Sequence, residues 1–122
     1  MNTESVKSLF TLFSGEECAD RYAPAIALAI RETESMLLPE ADSSDVRLEF
    51  LCAAIADYHV QLIKHSQDRR NVTYAGKYLS GGSGSTALAG AERLVREHME
   101  LCRELISPQG FVFRSFSGEE EI

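Results

Sequence analysis

The sequence predicts an all-α fold. The expected architecture is a four-helix bundle-like domain, with a long polar insert between the last two helices and an extended C-terminal arm. Three observations carry this. Apolar residues recur at three- and four-residue steps in four separate stretches. Only 3 Pro occur in 122 residues, so long helices are left unbroken. The one clear period-two stretch, Phe111 to Phe116, lies at the far end. The length is that of one domain, spanning residues 1–122, and such a chain needs no metal or disulfide to fold.

The first helix is expected over Glu4 to Phe13, where Val6, Leu9, Phe10, Leu12 and Phe13 form a helical stripe. Thr3 is its expected N-cap. Ser14-Gly15 interrupts it, and Ser14-Gly15-Glu16-Glu17 fits a capping box for a new helical start.

Pro24 must be placed in the second helix. One solution starts the helix at Asp20 as N-cap, so that Pro24 falls in the first turn, where a missing N–H costs nothing. The other starts at Ser14 and kinks at Pro24. The first is preferred, with a short turn before it. Tyr22, Ile26, Ala29, Ile30, Thr33, Met36 and Leu37 then share a face. Leu38-Pro39 ends the helix, because a residue before proline avoids the α region.

Asp42-Ser43-Ser44-Asp45 reads as a loop and helix start. From Val46 to about Gln67 there is neither Gly nor Pro. Leu48, Leu51, Cys52, Ile55, Tyr58, Leu62 and Ile63 mark the expected buried face. Ala53, Ala54 and Ala56 favour helix and allow a neighbour to approach closely. Such a helix is roughly 33 Å long, more than a domain this small needs, which leaves room for one end to project.

Residues 68–85 form the expected insert. Arg69-Arg70 is basic, Asn71 to Ala75 reads as a short extended piece, and Ser80-Gly81-Gly82-Ser83-Gly84-Ser85 has linker composition. Thr86 to Ile106 is the most regular amphipathic stretch, with Leu88, Ala91, Val95, His98, Cys102 and Leu105 on one face. Ser107-Pro108-Gln109-Gly110 stops it. The arm and tail, residues 108–122, carry Phe111, Phe113 and Phe116 and end in an acidic run.

The formal net charge is −7. That balance excludes a duplex-gripping surface, which needs a basic excess, and disfavours anionic membranes. Three cysteines, Cys18, Cys52 and Cys102, make no disulfide framework. There is neither a signal-peptide pattern nor a span of ~20 apolar residues, so an intracellular protein with reduced thiols is expected.

The charge is uneven. Residues 1–63 carry a net −7, residues 64–77 a net +3, and residues 78–122 a net −3. The insert is therefore a basic spot on an acidic body, suited to meeting the acidic face of a neighbouring copy. Arg69, Arg70, Lys77 and Tyr78 in the insert, with Phe111, Phe113 and Phe116 in the arm, are the candidate subunit or partner contacts. The aromatic arm either folds back on the core or docks on a neighbour.

No catalytic constellation is present in the sequence. The residues three before His59, His65 and His98 are Ala56, Leu62 and Val95, so the Glu-x-x-His pattern of bundle di-metal sites is missing. His98 and Cys102 stand at i,i+4, and a zinc site would need two more ligands, with Cys52 and His59 as candidates. The competing reading is a packed Cys and a partly covered His. Gly82 to Ala87 matches a dinucleotide-loop spacing, but no buried strand precedes it, so a capped linker is expected. Neither a catalytic residue nor a metal or other cofactor is expected, and the chain is read as non-enzymatic.

The order of these features is similar to a known layout. The short helix Ser8-Leu9-Phe10-Thr11-Leu12-Phe13 is followed by Ser14-Gly15-Glu16-Glu17, then Tyr22-Ala23-Pro24-Ala25-Ile26 to Leu38. The alanine-rich Leu51-Cys52-Ala53-Ala54-Ile55-Ala56-Asp57-Tyr58 comes next, and Ala91 to Glu97 leads to Gly110-Phe111-Val112-Phe113. This resembles the small head–tail connector (head-completion, adaptor-type) proteins of tailed phages and prophages. The resemblance implies a helical, ring-forming structural protein at the portal. It would act in the virion head–tail junction, or in the bacterial cytoplasm when expressed from a prophage. Its partners would be further copies of itself and portal or other junction proteins, with DNA only as a passing contact and no membrane. The alternative is a small helical adaptor or regulator that binds one bacterial protein through the Leu88–Leu105 face or the Phe arm.

Overall fold

The computed structural model describes residues 1–75 and 81–107, with the backbone alone described for residues 68–75 and 81–85. Among the described residues, four α-helices succeed one another: α1 (Thr3–Ser14), α2 (Ala23–Met36), α3 (Val46–Ala75) and α4 (Gly81–Leu101). A 3₁₀ turn, Ala19–Tyr22, precedes α2. Among the described residues the only β pairing is an isolated antiparallel bridge between Leu37 and Ile106. The all-α expectation holds.

α1 starts one residue earlier than expected. Asn2, not Thr3, is the N-cap: its extended backbone lets its side-chain oxygen accept from Glu4 N–H at 2.8 Å and Ser5 N–H at 3.2 Å. Asn is the stronger cap because its carbonyl reaches the N2 and N3 donors well. Gly15 closes the helix in the left-handed region, φ 78°, and its N–H returns to Thr11 O. Any side chain there would be strained. Ser14 is thus the last residue of α1, and the expected capping box does not form.

α2 takes up Pro24 in its first turn, as the preferred solution requires. Asp20 does not cap it; its carboxylate is 2.9 Å from Lys7 Nζ on α1. α2 ends at Met36, where Pro39 excludes Leu38 from helical geometry and Leu38 N–H turns to Leu105 O at 3.0 Å.

α3 is the hub on which α1, α2 and α4 all pack. Eight consecutive residues, Leu51 to Tyr58, are buried. Eight residues exceed two turns, so the helix is covered around its whole circumference, beyond the single apolar face expected. Ala53, Ala54 and Ala56 make this sheathing feasible, because only short side chains let three neighbours approach one axis. Ile63, expected in the core, is 54% exposed, and Leu62 is only partly buried.

α3 also runs further than expected. The backbone stays helical through Ala75, in place of the expected extended piece, and α4 begins at Gly81, inside the expected linker. Propagation explains the first: each added residue makes one hydrogen bond on a helix already nucleated and packed. For the glycine-rich start of α4 the helical state goes against propensity. Of the expected insert, residues 76–80 lie outside the described residues, and so does the arm from residue 108.

α4 stops at Leu101, five residues short of the expected end. Cys102 N–H is shared between His98 O and Met99 O, and Leu105 and Ile106 N–H both return to Cys102 O. Ser107 N–H then donates to Met36 O at 2.7 Å. Hydrogen bonds to the end of α2 therefore replace the last helical turn. Leu88, Ala91, Val95, Cys102 and Leu105 of the expected stripe are buried, while His98 is half-buried.

Candidate interaction cleft

A structured polar region lies where the 3₁₀ turn and the start of α2 meet the second half of α3. Its centre is an ion pair. Lys64 Nζ on α3 donates to Glu16 Oε2, from the segment after α1. Tyr22 O–H donates to the other Glu16 oxygen at 3.2 Å. Lys64 holds the Glu16 carboxyl below its ordinary pKa, and Glu16 raises the Lys64 ammonium in return. Each side of the pair favours the charged form of the other.

Asp57 lies about two turns before Lys64 on α3. It is only 5% exposed and accepts from Gln61 Nε2 at 3.3 Å. Burial pushes its pKa up, and the Gln61 hydrogen bond only partly offsets this. Tyr22 is anchored from behind by Phe10, ring centroids 5.6 Å apart, and Arg21 lies 5.8 Å over its ring. An open cavity of about 310 Å³ results, with Pro24, Ala25, Val60 and Ile63 as apolar lining and Arg21, Lys64 and Gln67 as polar lining. The cavity thus combines an apolar lining with a polar edge on which Lys64 is already engaged by Glu16.

Sequence reasoning misses this charged network. Asp57 does leave a signal there, as a lone carboxylate inside Ala53-Ala54-Ile55-Ala56-Asp57-Tyr58. The Glu16–Lys64 pairing joins positions 48 apart and leaves none.

Of the sequence-derived candidate contacts, Arg69 and Arg70 belong to the helical backbone of α3, five and six residues past Lys64. Lys77, Tyr78, Phe111, Phe113 and Phe116 lie outside the described residues. The Leu88–Leu105 face, the alternative partner surface, is spent inside the molecule against α3.

His98 and Cys102 are used otherwise than as a metal pair. His98 Nδ1 lies 2.9 Å from Leu94 O, and Cys102 Sγ donates to Arg47 O at 3.3 Å. Among the described residues no group of three or more His, Cys, Asp or Glu is placed to hold a metal ion. His59 Nε2 is 2.8 Å from Glu32, tying α3 to α2. Burial pushes the thiols of Cys52 and Cys102 up to about 12 and about 11, far from thiolate reactivity near neutral pH. Among the described residues no helix is long and apolar enough to cross a membrane.

No family model matches the chain, and neither a curated protein nor a solved structure matches it.

Proposed function

We propose that this chain is a non-enzymatic structural protein of a tailed phage or prophage, a ring-forming head–tail connector or adaptor at the portal. The observation that carries the reading is the shape of α3. It is sheathed on all sides from Leu51 to Tyr58, and it continues to Ala75, eight residues or roughly 12 Å past Gln67 at the cleft. A rigid core with a helix running on from it is a lever for contact between subunits. The basic residues Arg69 and Arg70 fall on that extension, while the chain as a whole carries −7. Attraction between that end and the acidic body of a neighbour would set register in a ring. An acidic body also suits a conduit, because it does not grip passing DNA.

Light scattering and negative-stain microscopy of concentrated protein test this reading. Closed rings support it. A strict monomer at every concentration that also fails to join portal particles contradicts it.

The cleft supports a second reading, a small adaptor for one bacterial protein, because Arg21, Lys64 and Gln67 flank an apolar lining at a single location. Genomic neighbourhood separates the two. Portal and capsid genes beside this one favour the connector, and an enzyme or sensor operon favours the adaptor.

A further inference from the structure

Asp57 is a carboxylate inside the fully covered stretch of α3, and it stands at one end of a polar row. Steps of four and three put Asp57, Gln61 and Lys64 along one face of the helix. Gln61 Nε2 donates to Asp57 at 3.3 Å, and Lys64 closes the row by donating to Glu16. Glu16 belongs to the strap, residues 15–22, that links α1 to α2. Tyr22 O–H, at the far end of the strap, donates to Glu16 at 3.2 Å. Asp20 and Tyr22 tie the strap to α1, through Lys7 at 2.9 Å and the Phe10 ring. The Glu16–Lys64 pair ties it to α3. Strap and helix form facing walls of the 310 Å³ cavity, with Arg21 and Tyr22 on one side and Val60, Ile63 and Lys64 on the other.

Among the described residues, the charges that act on Asp57 are Lys64 from its own helix and Glu16 from the strap; none comes from α1, α2 or α4. The nearby titratable pair is separate, His59 with Glu32 of α2 at 2.8 Å. A buried carboxylate without a cation of its own is costly once ionised, and two carboxylates near one ammonium disfavour each other. We propose that Asp57 is a proton-operated release for the strap: while Asp57 keeps its proton, Lys64 serves Glu16 alone and the strap stays clasped to α3, and when Asp57 ionises it competes for Lys64, repels Glu16 and loosens the strap, widening the cavity beside Tyr22. The clasp then has two edges in pH. It is lost on the acid side as Glu16 takes up a proton, at a pKa lowered by Lys64. It weakens on the alkaline side as Asp57 gives up its proton, at a pKa raised by burial. The inference is independent of the connector reading.

The test places a nitroxide on Cys18 of the full chain. Cys18 is exposed and lies two residues from Glu16, while Cys52 and Cys102 are buried, so the label reports the strap. Its motional spectrum is followed from about pH 3 to about pH 9, a range in which lysine stays charged. The expected result is a slow component that rises and falls once each across this range. Asp57→Asn should keep the slow component to the alkaline limit. Lys64→Met should lose it at every pH while helical circular dichroism is kept. A parent spectrum with no alkaline-side loss overturns the proposal. So does a parent spectrum that matches Lys64→Met throughout. An alkaline-side loss that persists in Asp57→Asn overturns it too, because another group would then operate the strap.

Discussion

Lys64 and Glu16, 48 positions apart, form the ion pair that ties the segment after α1 to the second half of α3. Their side chains are 42% and 25% exposed, so solvent screens the attraction. Glu16→Gln and Lys64→Met should each cost about 0.5–1 kcal/mol at neutral pH. The pH dependence has a definite sign. The Glu16 carboxyl is lowered in the folded state, first by the Lys64 hydrogen bond. Its contribution is therefore present above the ordinary Glu pKa and is lost as pH falls through the lowered value. Urea midpoints of parent and Glu16→Gln should converge on the acid side.

Asp57 should behave in the opposite sense. Its pKa is raised by burial, so the folded state holds the proton more tightly than the unfolded chain. Stability is then lost as pH rises from the ordinary Asp pKa through the raised one. Asp57→Asn removes the buried charge and keeps an oxygen to accept from Gln61. The variant should exceed the parent in urea midpoint at pH 7, with the advantage vanishing below the ordinary Asp range.

The sheathing of α3 predicts a size limit. Ala54 is wholly buried, and the larger side chain of leucine has nowhere to go. Ala54→Leu should cost about 1–3 kcal/mol through overpacking. Leu12 is 72% exposed despite belonging to the expected apolar stripe, so Leu12→Ala should stay within about 0.5 kcal/mol. Chemical denaturation of the two variants checks the contrast.

The cysteines should separate by accessibility. Cys18 is exposed, whereas Cys52 and Cys102 are buried with thiols pushed up to about 12 and about 11. A thiol reagent at pH 8 should label one cysteine rapidly in the folded protein and all 3 in denaturant.

The helices are legible in the sequence because their signals are local. Pro24 in a first turn, Pro39 after a helix end, and the spacing from Leu88 to Val95 each depend on neighbours along the chain. The N-cap differs by one residue from expectation because Asn2 and Thr3 are both competent, and only backbone geometry separates them. The early end of α4 has a non-local cause: Met36 O and Leu38 N–H engage the chain at Ser107 and Leu105. Full burial of α3 cannot be told from a one-sided stripe in the sequence, since alanines fit either setting. The cleft is hidden there because Glu16 and Lys64 meet only once the fold is complete.

The most direct test of the connector reading is the mass of the particle formed when the chain is co-expressed with a phage portal protein. The account predicts a complex carrying several copies of this 13.5 kDa chain per portal ring. Arg69→Glu with Arg70→Glu should lower that number while helical content is kept. A chain that elutes alone at monomer mass, with and without the portal, contradicts the account.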